Sequence, residues 1–317
     1  MRHFSTALLG LSTTAALVAA PFVSVAPAFA MTGPEINQIA QQTSVHILVS
    51  PDGENIAGTG SGFIVARNGN KYYVATNAHV TNGGEYFGIR LHDQEVVASE
   101  TVMYFDGLDL AVVEFESSRN YPVAVLAPTV DVGQDVFVSG WPPPHPSSNE
   151  IVRQFIYGRV SADLTQDFQG GYEISYSAPT DVGMSGGQVI DSSGRVVAIH
   201  GMGGPMTKGA IAQRIRARDI NDPTVETLAN ATKSGLNYGI PISTFINQAA
   251  ANGIYLNFDV SRDAAQPLGA PIADAKNADP VSPADRIDDV TNSLSSIATL
   301  LGIAGEVLQG VCRFFGC

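Results

Sequence analysis

From residue 45 onward the apolar positions come in short β-branched and aromatic runs, at 45–49, 60–66, 72–75, 86–91, 96–104, 111–115, 136–140, 155–160, 172–177, 188–190, 196–200 and 237–242. Each run is too short for a helix and is closed by Gly, Asn or Asp, so each reads as a strand ending in a turn. About a dozen such strands with almost no helix between them predict an all-β chain of barrels or sandwiches, not a wound parallel sheet. Residues 127–132, with Pro128, read as the joint between two halves, 44–128 and 129–258.

Outside this region the pattern changes. Thr32-Gly-Pro-Glu35 has the form of a capping box with proline in the first turn, and Ile36 and Ile39 give one apolar face to a short helix within 31–43. Residues 259–283 are rich in Ala, Pro and Asp and read as a linker. In 284–317, Ile287, Val290, Leu294, Ile297, Leu300, Leu301, Ile303, Val307 and Leu308 recur at mostly helical spacing. That stripe predicts an amphipathic helix that must dock on the body, on a copy of itself or on a partner. Residues 1–30 carry Arg2 and His3, an apolar stretch and Ala28-Phe29-Ala30, the form of an export signal cut before Met31. The expected location is therefore secreted or periplasmic.

The formal net charge of −13 on 317 residues argues against a phosphate-backbone or anionic-membrane partner, and no nucleic-acid role is expected. Cys312 and Cys317 stand together at the end of the chain, so no disulfide staples the strands. For this pair a small local loop is favoured over an intermolecular bond. No metal-ligand spacing and no phosphate-cradling glycine loop occurs, and no cofactor is expected.

The candidate chemistry centres on Thr180-Asp-Val-Gly-Met-Ser-Gly-Gly-Gln-Val189, with Thr76-Asn-Ala-His79-Val and Leu108-Asp109-Leu-Ala-Val upstream. A serine hydroxyl is a poor nucleophile near neutral pH, and an oriented imidazole is the usual means of removing its proton. Gly183-x-Ser185-x-Gly187 also fits the nucleophile elbow of α/β-hydrolases, but that elbow leads into a helix. Here two short strands around a Ser-Gly turn follow Ser185, and His200 as the base leaves too little chain for the intervening units. Asp109 is preferred to Asp106 as the acid because Leu-Ala-Val-Val follows it, placing the carboxylate at the mouth of a buried strand.

In motif order and strand pattern, residues 45–246 resemble chymotrypsin-like (trypsin-like) serine proteases, especially the compact bacterial Deg/HtrA group and the glutamyl endopeptidases. The resemblance implies two six-stranded antiparallel β-barrels with the catalytic cleft between them, acting on polypeptide substrates. It implies that Ser185 is the nucleophile, His79 its base and Asp109 the orienting acid, and that Gly183 and Ser185 donate backbone N–H groups to the oxyanion. Met184 departs from activatable digestive proteases, which carry an aspartate there. No appended peptide-binding module is evident after residue 242.

In glutamyl endopeptidases a threonine or serine five residues before the nucleophile and a histidine fifteen after it face an acidic P1 side chain, on the acyl side of the cleaved bond. Thr180 and His200 stand at those positions. They point to Glu or Asp at P1, the alternative being that His200 ends a strand and bonds internally. Gly201, Met202 and Gly203 read as the strand edge that pairs with the substrate backbone. His46 and His92 sit in strand patterns and read as structural. A protease-fold binding protein without turnover is the competing reading, since a fold alone does not establish function.

Overall fold

The computed structural model describes residues 30–144, 150–203, 207–215, 217–233 and 235–269. The apolar leader up to residue 29, the linker from residue 270, the amphipathic tail, His145 and the Cys312/Cys317 pair lie outside the described residues. Among the described residues no helix is long and apolar enough to cross a membrane.

A short helix, α1 (Gly33–Thr43), opens the described chain, and the Thr32 backbone N–H donates to Glu35 Oε2 at 2.7 Å as the capping box requires. Its buried Ile36 and Ala40 face the body, and Gln188 Nε2 donates to the Ala40 carbonyl at 2.8 Å. The first half is one antiparallel sheet built from β1 (Ser44–Ser50), β2 (Gly58–Asn68), β3 (Lys71–Thr76), β4 (Tyr86–Arg90), β5 (Val96–Ser99), β6 (Thr101–Tyr104) and β7 (Ala111–Glu116). Its order is β5-β4-β1-β2-β3-β7-β6, seven strands where the resemblance implies six. The extra strand arises because the run 96–104 is two strands. At the corner between them Ser99 Oγ accepts from Thr101 N at 3.2 Å and donates to the Glu114 carbonyl of β7 at 2.5 Å. The two edge strands are thus consecutive in the chain, and the sheet curls round a core of Val45, Ile47, Ile64, Val74, Ile89 and Val113.

The second half comprises β8 (Asp135–Gly140), β9 (Gln154–Phe168), β10 (Tyr172–Tyr176), β11 (Gln188–Asp191), β12 (Val196–Met202) and β13 (Asn237–Pro241). They close into a barrel of order β10-β13-β12-β11-β8-β9, the six strands expected. Strand β9 runs on to Phe168, well past the apolar run, because its first part pairs with β8 and its second, with a register shift, with β10.

Between β12 and β13 the structure has helices where the sequence pattern gave nothing: α3 (Lys208–Arg214) and α4 (Pro223–Lys233). Thr207 caps α3, its Oγ1 accepting from Ala210 N at 3.2 Å, and Ile211, Ile215, Val225 and Leu228 join the main core. A further helix, α5 (Ile242–Ala249), sets Phe245 against Phe105 with ring centroids 5.2 Å apart. The start of the compositional linker, residues 259–269, is pinned to the joint between the halves and to the second barrel. Leu126 N donates to the Asp259 carbonyl at 2.8 Å, Ser261 N to the Leu126 carbonyl at 2.9 Å, and Arg195 Nη1 to the Asp263 carbonyl at 2.7 Å. Backbone hydrogen bonds and one buried arginine hold this strap, and a composition poor in large apolar residues does not reveal such contacts.

Candidate active site

Sheet register brings His79 to Asp109. Strand β3 pairs antiparallel with β7, Thr76 opposite Ala111, so the residues just after β3 and just before β7 emerge together. His79 lies in the one-turn helix α2 (Ala78–Thr81), and Asn77 Nδ2 donates to the Asp109 carbonyl at 2.9 Å. His79 N donates to Asp109 Oδ1 at 2.9 Å, and His79 Nδ1 lies 2.6 Å from Asp109 Oδ2. Tyr172 Oη donates to the same Oδ2 at 2.5 Å. Burial works against ionisation of Asp109, but the charge and hydrogen bonds of His79 and the Tyr172 hydroxyl outweigh it and hold the carboxyl below its usual range. A carboxylate only accepts, so Nδ1 carries a proton and Nε2 is the nitrogen facing outward. Asp106 is exposed, with its backbone N–H bonded to Asn252, and takes no part.

The turn carrying Ser185 is sewn to both halves. Ser61 N of β2 donates to the Ser185 carbonyl at 2.8 Å, Gly186 N to the His200 carbonyl at 2.7 Å, and His200 N to the Gly187 carbonyl at 2.8 Å. The Ser61 hydroxyl donates to the Gly183 carbonyl at 2.9 Å. Gly186 has φ +84° and a Cβ there would lie 2.0 Å from the Ser61 carbonyl oxygen, so close backbone approach and left-handed geometry both demand glycine. Gly183 is also left-handed, at φ +88°. Met184 is fully buried against the second barrel.

Ser185 Oγ does not bond to His79 in this state. It donates to the Gly201 carbonyl at 3.4 Å, while the Arg214 guanidinium lies across the gap: Nη2 is 3.4 Å from Ser185 Oγ and Nε donates to His79 Nε2 at 3.2 Å. Burial works against the Arg214 charge, and Tyr172 and Asp109 lie near enough to offset part of that.

Behind Ser185 the predicted pocket residues converge. A Cβ on Gly203 would lie 1.9 Å from Thr180 Oγ1, 2.2 Å from Asn237 Oδ1 and 2.9 Å from His200 Cε1. Thr180 Oγ1 donates to Asn237 Oδ1 at 2.8 Å, and the Tyr176 hydroxyl lies 2.5 Å from His200 Nδ1. Burial first, then the charges of Arg214 and His79, push the His200 imidazole down to about 3, so it is neutral at physiological pH. Burial pushes the Tyr176 hydroxyl up, and that hydroxyl also donates to the Tyr238 carbonyl at 3.3 Å. Gly201 and Met202 end β12, whose pairing with β11 reaches only Ile199, and a Cβ on Gly201 would lie 2.1 Å from the Tyr172 hydroxyl oxygen.

The structure thus gathers His79, Asp109, Ser185, Gly183, Thr180, His200 and Gly201–Gly203 at the meeting of the two halves. Sequence reasoning missed Tyr172, Asn237 and Arg214. The first two lie inside strand runs with no motif of their own. Arg214 was in principle findable: Thr207 as a cap, Ile211 and Ile215 one turn apart, and Pro223 ahead of Val225, Leu228 and Ala229 signal two helices. His46 is buried and stacked on Trp141, and His92 meets Tyr121 edge-on.

Residues 60–199 match the trypsin-like peptidase domain family. The serine protease Do-like HtrA of Lactococcus lactis subsp. lactis is 29% identical over 157 residues, covering 47% of this chain and 38% of that protein. The chloroplastic Protease Do-like 1 of Arabidopsis thaliana is 30% identical over 152 residues, covering 45% of this chain and 33% of that protein. The matched segment therefore spans well under half the length of these relatives. The crystal structure of the serine endoprotease from Yersinia pestis superposes with a TM-score of 0.51 at 18% identity, covering 71% of this chain and 67% of that one, a likeness of fold.

Proposed function

We propose that the protein is an exported serine endopeptidase in which Ser185, His79 and Asp109 act as the triad. The observation that carries this is that one guanidinium touches both His79 Nε2 and Ser185 Oγ, so imidazole and hydroxyl face the same small space with Asp109 behind. In the reaction His79 Nε2 takes the proton from Ser185 Oγ as that oxygen attacks the scissile carbonyl, and then gives it to the departing amine. Water hydrolyses the acyl-enzyme by the same relay. Asp109, fixed by Tyr172 and by the His79 backbone N–H, holds the tautomer and stabilises the imidazolium. The N–H groups of Gly183 and Ser185 bind the oxyanion, an interaction typically worth about 10²–10³ in rate.

For the P1 residue the reading is Glu or Asp. The placement of the buried, neutral His200 imidazole beside Gly203 supports it; the Thr180 hydroxyl proton, committed to Asn237, contributes only if that bond is exchanged. A protease-fold binding protein without turnover draws on one observation, the missing Ser185–His79 bond.

The test is cleavage of casein and of Glu, Gln, Arg and Phe p-nitroanilides by the chain beginning at Met31, beside Ser185→Ala. Activity absent from the variant is expected, with Glu ahead of Gln. Equal inertness of the two proteins in every assay supports the binding protein instead, and faster cleavage after Arg or Phe removes the acidic P1 reading alone. N-terminal sequencing of protein recovered from outside the cytoplasm, beginning at Met31, tests export.

A further inference from the structure

Ser61, on β2 of the first half, grips the carbonyl of each of the two residues whose N–H groups would bind the oxyanion. Its own N–H donates to the Ser185 carbonyl at 2.8 Å and its hydroxyl to the Gly183 carbonyl at 2.9 Å. The sense of the hydroxyl bond is fixed, because Trp141 N lies 2.8 Å from Ser61 Oγ and a backbone N–H can only donate. The single hydroxyl proton therefore goes to Gly183. Met184 N donates to the Asp181 carbonyl at 3.2 Å, so the Gly183–Met184 peptide is held at both of its polar ends. That peptide lies between the two donors, and its orientation sets the positions from which both N–H groups project. Gly183, at φ +88°, has no side chain to anchor it, and glycine is the residue whose backbone turns most freely. Ser61 is a firm anchor in its place: it is fully buried, and its carbonyl takes the Thr76 hydroxyl at 2.7 Å.

We propose that Ser61 is a positioning residue for the oxyanion site: its hydroxyl holds the Gly183–Met184 peptide so that the N–H groups of Gly183 and Ser185 converge on one oxygen. The inference rests on the serine peptidase reading and gives β2 of the first half a part in transition-state stabilisation. A hydroxyl that only filled a buried hydrogen-bonding position would affect stability and leave the oxyanion site as it is.

The test combines kcat and KM on the p-nitroanilide that wild type cleaves fastest, the urea midpoint, and the carbonyl stretch of the cinnamoyl ester formed when cinnamoylimidazole acylates Ser185. A carbonyl stretch falls in frequency as hydrogen bonds to its oxygen strengthen, so it reads the oxyanion site directly. Ser61→Ala is expected to lose roughly tenfold or more in kcat, short of the about 10²–10³ for loss of a whole donor, with KM nearly unchanged and the stretch moved to higher frequency. Ser61→Cys, whose thiol is a weak donor, is read in the same way if the alanine variant does not fold. Tyr72→Phe is the control. The Tyr72 hydroxyl likewise accepts a backbone N–H, from Tyr121 at 3.2 Å, and donates to a carbonyl, that of Arg119 at 2.8 Å, in the core of the first half. Its loss is expected to lower the urea midpoint and leave kcat and the stretch as in wild type. An unchanged kcat in Ser61→Ala overturns the proposal, and so does a loss of kcat with the stretch unmoved, or one that Tyr72→Phe reproduces. If wild type neither cleaves nor is acylated at Ser185, the peptidase reading falls and takes this inference with it.

Discussion

The Tyr172 hydroxyl reaches Asp109 Oδ2 at 2.5 Å through the space left by the missing side chain of Gly201, and so joins the barrel strand β10 to the acid that orients His79. The same oxygen takes His79 Nδ1 at 2.6 Å, and Oδ1 takes the His79 backbone N–H. Hydrogen bonds to a charged group are worth about 1.5–3 kcal/mol each. Tyr172→Phe keeps the ring and removes only that bond. The expected result is a loss of roughly tenfold or more in kcat with KM nearly unchanged. A rise in KM at constant kcat would mean that Tyr172 shapes the pocket rather than positions the acid.

The nucleophile turn yields a sharper structural test. Gly186→Ala would place a methyl 2.0 Å from the Ser61 carbonyl at φ +84°, whereas Gly133→Ala, at φ +90°, meets nothing within 4 Å. The control loses only the left-handed backbone preference, about 1–2 kcal/mol. The variant at 186 must in addition push the turn away from β2, so its loss in urea unfolding should exceed the control's by about 2 kcal/mol or more, with activity lost as well. Equal losses would mean that the Ser61–Ser185 seam yields easily.

Much of this arrangement is legible in the chain. Twelve short β-branched and aromatic runs separated by turn residues cover the strands, and the order His79, Asp109, Ser185 selects among folds. The split of β5 from β6 is not legible, since a side-chain bond from Ser99 to a carbonyl of β7 makes the corner. Nor is the polar half of β9, whose exposed Ser161 and Asp163 carry no apolar signature. Tyr172 and Arg214 act through contacts with residues 63 and 135 positions away, which no local pattern encodes.

An ion pair on the second barrel adds to the backbone bonds that hold the strap. Arg195 Nη2 and Nε bind Asp191 Oδ2 at 2.6 and 3.0 Å, the aspartate is fully buried, and the same guanidinium holds Ser261 and Asp263. Removing one partner leaves a buried charge uncompensated, a loss of about 3–5 kcal/mol. Arg195→Met should therefore destabilise strongly in urea unfolding and expose Arg262, in the strap, to tryptic cleavage. Asp191→Asn combined with Arg195→Met should recover part of the stability but leave Arg262 sensitive. Resistance of Arg262 to trypsin in both variants would assign the strap's attachment to its backbone bonds with Leu126 instead.

Two buried imidazoles set how the fold responds to acid. His200 is pushed down to about 3 by burial and by the charges of Arg214 and His79, and His46 to about 3 by burial and by Arg90. An unfolded chain takes up these protons near the ordinary histidine value of about 6.5, whereas the folded chain resists until near 3. Between those values the unfolded state binds more protons, so stability rises with pH there. The contribution is complete above about 6.5 and is lost as pH falls toward 3. Between about pH 5 and 6, above the range where carboxylates titrate, each histidine should add a slope of about 1.4 kcal/mol per pH unit. Urea unfolding of His46→Gln across that interval should show a slope lower by about this amount than wild type. An unchanged slope would mean that His46 takes up its proton without leaving the folded state, and would refute its burial as a neutral group.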